Sequence, residues 1–140
     1  MMGRWRLFFV VILGLAVVWL IVFWVYYTNL DNALKHETNR WAVIKDSHGD
    51  RIAVEPTSNQ TWSQLVALYQ NQTIRWIGGM VETYGNKWGF RFKPENVTIA
   101  EVTAEGLQAY IRWISEDSSY WLNLRWAYVS ARVTEIHSPL

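Results

Sequence analysis

The hydrophobic pattern divides the chain into two unlike parts. From Leu7 to Tyr27 it reads LFFVVILGLAVVWLIVFWVYY, 21 residues with no charge and no strongly polar side chain. At about 1.5 Å per helical residue the run spans roughly 31 Å, the hydrocarbon thickness of a bilayer. A core helix of that length would need a polar face, and this one has none. A cleaved signal peptide would carry a shorter apolar run of about 7–15 residues ending at small side chains. Here the run ends in Phe23, Trp24, Val25, Tyr26 and Tyr27. The pattern therefore predicts an uncleaved transmembrane helix over 7–27.

Beyond residue 27 the pattern is mixed. A stalk is expected over 28–40, extending the membrane helix by two or three turns. Trp41–Lys45 and Arg51–Glu55 read as two short strands around the polar turn 46–50, with Gly49 in the bend. Thr61 and Gln64 have the spacing of a capping box, and Trp62, Leu65, Val66 and Tyr69 follow the spacing of one helix face. Thr73–Tyr84 reads as a strand, with a bulge expected at Gly78 and Gly79. Trp88, Phe90 and Phe92 alternate with Gly89, Arg91 and Lys93, as in a half-buried strand. Val97–Val102 is a further strand. Thr103 is expected to cap a second helix with Leu107, Ile111 and Ile114 on one face and an Arg112–Glu116 pair on the other. Trp126–Ile136 closes the chain as a long strand. The order β-β-α-β-β-β-α-β predicts an α+β domain over 41–140, with two helices on one face of a mainly antiparallel sheet.

Charge sets the expected orientation. Arg4 and Arg6 precede the apolar run, whereas 28–40 mixes Asp31, Lys35, Glu37 and Arg40. The basic excess places residues 1–6 in the cytoplasm and the C-terminal domain outside. Trp5, Trp24, Tyr26 and Tyr27 suit the two interfacial belts, although they also read simply as bulky hydrophobes. With Arg4 and Arg6 set aside, residues 28–140 carry eleven basic and twelve acidic side chains, a net charge of −1. That balance argues against a nucleic-acid partner. The chain has no Cys, which excludes disulfides, thiolate metal sites and a thiol nucleophile. Three glycosylation sequons begin at Asn59, Asn71 and Asn96 and agree with an exported domain.

Candidate chemistry is sparse. Asp46, His48 and Asp50 alternate in one loop, but the pattern falls short of a calcium loop and reads better as a polar turn, so no metal is expected. Glu101 and Glu105 could form an acid–base pair. The simpler reading places Glu105 in the first turn of a helix and Glu101 beside Arg91 or Arg132. No catalytic residue, cofactor or enzymatic activity is expected.

Trp is the distinctive component. Seven of ten Trp lie beyond residue 27. Trp62, Trp76 and Trp88 fall on periodic apolar faces and suit a core. Tyr120, Trp121, Arg125 and Trp126 form a cluster with the composition of a contact hot spot. They are the partner-contact candidates, with a lid on the core as the alternative.

The stretch Arg75–Ile136 resembles the N-terminal domain family of the autocrine proliferation repressor proteins. The likeness rests on Trp88, Phe90, Phe92, Pro94 and Val97, then Glu101 and Glu105, then Ile111, Arg112 and Trp113. It implies a small α+β domain found in secreted and membrane-tethered settings, and it carries no catalytic residue. Taken together, these readings predict a single-pass protein embedded in the lipid bilayer. It would hold an extracytoplasmic interaction domain for a protein partner, as an accessory or structural subunit of a membrane complex. The alternative is a domain that binds a sugar, peptide or surface protein.

Overall fold

The computed structural model describes the backbone of residues 2–30 and 32–139, and the side chains of 3–24 and 32–139. The expected interfacial rings Tyr26 and Tyr27 lie outside the described side chains. The chain separates into two compact units, residues 1–32 and 33–140. The first is helix α1, Met2–Leu30. It contains one segment, Gly3–Trp24, long and apolar enough to cross a membrane. Its described side chains are exposed all round, so no face of it is set apart for packing within the unit.

The second unit is α+β. Strands β1 (Trp41–Asp46) and β2 (Arg51–Val54) form the expected hairpin. Helix α2 (Asn59–Asn71) begins two residues before Thr61. The cap is Ser58, whose Oγ accepts the Thr61 amide at 3.3 Å. Thr61 instead turns inward, and its hydroxyl donates to the Val97 carbonyl at 3.3 Å. Strands β3 (Arg75–Thr83), β4 (Phe90–Phe92) and β5 (Thr98–Ala100) follow.

Next come strand β6 (Gln108–Ala109), helices α3 (Ile111–Glu116) and α4 (Ser118–Leu124), and strand β7 (Trp126–His137). The helix expected from Thr103 is absent. Residues 105–107 form a single 3-10 turn, and β6 adds in parallel to β7 before α3 starts. Expected periodicity was overridden here by strand pairing. Arg112 pairs with Asp50 at 2.8 Å, and not with Glu116.

The sheet runs β2-β1-β7-β3-β4, with β5 on β3 and β6 on β7. All pairs but β6–β7 are antiparallel. The register irregularity lies between β1 and β7, where consecutive Val43 and Ile44 pair with Glu135 and Val133 and leave Thr134 as the extra residue, and not at Gly78 and Gly79. Those two glycines serve close approach. A Cβ on Gly78 would strike the Ala127 carbonyl, and one on Gly79 would meet the Asn96 oxygen at 2.5 Å.

The main core lies on one face of the sheet. Ile44, Ile52, Val54, Ile77, Val129 and Val133 meet Leu65 of α2, Ile111 and Ile114 of α3, and Trp121 of α4. Burial of these side chains from water is the main stabilising force, since no disulfide closes the domain.

Residues 33–40, expected to be part of a stalk, belong to the compact unit. The Glu37 and Thr38 amides each donate to Glu55 Oε1 at 2.6 Å, and Arg40 reaches Asn59 Oδ1 at 2.8 Å. His36 stacks on Trp41 at 3.9 Å, and His137 stacks on Trp41 at 4.0 Å. The segment is held by the hairpin and by the end of β7.

Candidate functional site

The four sequence-predicted contact residues do not form one surface. Trp121 is 7% exposed and belongs to the core, whereas Tyr120 beside it is 51% exposed. Their rings meet edge to face at 5.1 Å. Arg125 ends α4 with φ of +77° and donates its amide to the Trp121 carbonyl at 2.8 Å. Its own carbonyl accepts the Val81 amide at 2.7 Å. Trp126 is half-buried at the start of β7, opposite Met80. The lid and contact readings therefore divide by residue: Trp121 is a lid, and Tyr120 with Arg125 remains solvent-facing.

A better-defined site lies around the hairpin loop. Asp46 ends β1 and is 5% exposed. Its Oδ1 accepts the His48 and Asp50 amides at 3.0 and 3.1 Å, and its Oδ2 accepts the Ile111 amide at 3.0 Å. One carboxylate thus shapes the loop and supplies the cap that α3 lacks locally. Asp50 is held by Arg112 through two hydrogen bonds of 2.8 and 3.2 Å. That pairing raises the Arg112 pKa above its usual value, first through the hydrogen bond and then through the charge of Asp50. The loop carboxylates are therefore committed to backbone and to Arg112. No group of three His, Asp or Glu side chains able to hold a metal occurs among the described residues.

Above this loop the aromatic rings are ordered into a corner. His48 stacks flat on Tyr110 at 3.8 Å, and Tyr110 meets Trp113 at 82° and 4.5 Å. Trp113 is 49% exposed although it sits in a helix. Together with Trp76, Ser47, Glu105, Gln108 and Ser130, the Tyr110 and Trp113 rings line a cavity of about 560 Å³. Its lining mixes ring faces with hydroxyl, amide and carboxylate groups, a composition suited to an organic ligand or peptide side chain. The sequence gives little sign of it because its members come from the hairpin turn, β3, the 3-10 turn at 105–107, β6, α3 and β7. Only Trp113 offered a signal, as a large ring on the polar side of its helix. Glu101 is not part of the site; it faces solvent and approaches Arg75 at 3.8 Å.

A third cluster is structural. Arg91 contacts Glu82 at 2.7 Å, Glu55 at 3.3 Å and Glu37 at 3.4 Å. Its guanidinium lies 4.4 Å from the centre of the Tyr84 ring. Burial alone would lower the Arg91 pKa, but the hydrogen bond and charge of Glu82 outweigh it and raise it. Burial also raises the Tyr84 pKa, with Glu55 and Glu37 adding to the effect. Among the described residues, the buried Tyr84 hydroxyl has no hydrogen-bond partner within bonding distance.

Comparison of the chain with protein-family models, with curated proteins and with solved structures finds no match. The resemblance drawn over residues 75–136 therefore rests on its motif residues alone.

Proposed function

We propose that the chain is a membrane-anchored interaction protein that carries its α+β unit outside the membrane. In this reading it is an accessory or structural subunit of a membrane complex. The observation that carries the reading is α1: from Leu7 to Trp24 every side chain is uncharged and exposed, a surface that only lipid or another apolar surface would cover. Arg4 and Arg6 before the span support a cytoplasmic N-terminus. Tyr120, Trp113 and Leu124 support a contact role for the helical side of the domain, being large and exposed on short helices.

The ordered cavity at Tyr110 and Trp113 favours a second reading, in which the exported domain binds an organic ligand. Extraction from the native membrane in mild detergent, followed by mass spectrometry of a tagged chain, tests the first. The expected result is one partner at fixed stoichiometry that is lost in Tyr120→Ala. Recovery of the chain alone counts against a complex. A ligand retained without protein favours the second reading.

A further inference from the structure

A row of like charges crosses the sheet on the face away from the main core. Arg51 of β2 is opposite Lys45 of β1, and Lys45 is opposite Arg132 of β7. Residues directly opposite on antiparallel strands point to the same face with Cβ atoms about 4.5–5.5 Å apart, and like charges there are destabilising. All three side chains are exposed, so this end of the face looks to solvent, whereas Val43 and Ala53 further along it are buried. Arg51 has partial compensation from Glu135 at 3.7 Å. Among the described residues, no ion pair or side-chain hydrogen bond engages Lys45 or Arg132. The fold gains nothing evident from this arrangement.

Lys45 and Arg132 share a cavity of about 610 Å³ with Ser47, His48, Gln72 and Thr134. Its one carboxylate, Asp46, is buried and already accepts three backbone amides. The cavity therefore holds two cationic side chains that its carboxylate does not pair with, ringed by hydroxyl, amide and imidazole groups. A carboxylate ligand offers one charge and two acceptor oxygens to two separate cationic side chains. A phosphate monoester carries about −1.5 to −2 at neutral pH and three acceptor oxygens, which matches both charges and the surrounding donors.

We propose that this cavity is a binding site for a phosphate monoester group, held by Lys45 and Arg132. Ser47 also lines the aromatic cavity at Tyr110 and Trp113, so the organic part of the ester extends over those rings. The site is independent of the anchor and of its orientation.

Isothermal titration of the full chain in phosphatidylcholine nanodiscs tests it, with phenyl phosphate, inorganic phosphate and acetate as probes. A parallel arm uses nanodiscs containing phosphatidic acid, whose headgroup is a lipid-borne monoester, and reads the shift of the Trp emission. Phenyl phosphate is expected to bind saturably and more tightly than inorganic phosphate, and acetate at least tenfold more weakly. Binding of phenyl phosphate assigns a soluble ester. A saturable response to phosphatidic acid alone assigns a lipid headgroup. Arg132→Ala and Lys45→Ala should each lower affinity at least tenfold without lowering the melting temperature. Lys45→Glu should abolish binding while raising the melting temperature, because it alternates the charges along the row. Saturation by neither probe, equal binding of acetate, or unchanged affinity in Arg132→Ala overturns the proposal.

Discussion

The two faces of the sheet are built from alternate residues of the same strands, yet they answer to different demands. On one face Ile44, Ile52 and Val133 are fully buried against α2, α3 and α4. One residue away along those strands stand Lys45, Arg51 and Arg132, exposed and mutually repelling. The covered face accounts for the fold through apolar burial. The other face buries Val43 and Ala53 at one end, but its exposed cationic row and aromatic corner are not explained by the fold and so are the better place to look for function.

Substitutions of neighbouring residues can break or sharpen that contrast. The largest difference is expected in α4. Trp121→Ala should cost about 3–5 kcal/mol by urea unfolding, while Tyr120→Ala should stay within about 0.5 kcal/mol. A stability loss at Tyr120 comparable to that at Trp121 would remove the distinction between lid and surface. On β1, Ile44→Ala should cost about 2–5 kcal/mol, and Lys45→Ala should be neutral or mildly stabilising. Asp46 joins the two faces, since it caps α3 from the hairpin. Asp46→Ala leaves three amides short of a partner and should cost about 1–3 kcal/mol, with amide exchange at Ile111 accelerated most.

The smallest effect concerns Tyr84. Its pKa in the folded chain lies above the usual 10.0, so the folded state holds the phenolic proton more tightly than the unfolded state. The corresponding stability is present below pH 10 and is lost as pH rises through the folded pKa. Tyr84→Phe should leave stability near neutral pH within about 0.5 kcal/mol, because the hydroxyl has no partner to lose. It should also flatten the decline above pH 10 in pH-dependent unfolding curves.

Local signals were legible where neighbours in sequence are neighbours in space. The hairpin around Gly49, the alternation of Phe90 and Phe92, and the closing strand each follow from patterns within a dozen residues. Over 103–116, Leu107, Ile111 and Ile114 have helical spacing, but Gln108 and Ala109 are drawn into pairing with Tyr128 and Val129 and the helix is confined to 111–116. Thr103 has the chemistry of a cap for a helix starting beside it, but α3 starts only at Ile111, whose amide is held by Asp46, 65 positions away. The open-face site was invisible for the same reason. Lys45, Arg51 and Arg132 look like ordinary surface charges until β-sheet register sets them in one row, and the net charge of the domain conceals them.

The proposed role requires the domain to lie outside the membrane. Because the chain has no Cys, Glu105→Cys supplies the single thiol, on an exposed residue at the rim of the aromatic cavity. Treatment of intact cells expressing this variant with a membrane-impermeant maleimide should label it fully before any permeabilisation. Labelling only after the membrane is opened would put the domain in the cytoplasm and contradict the account.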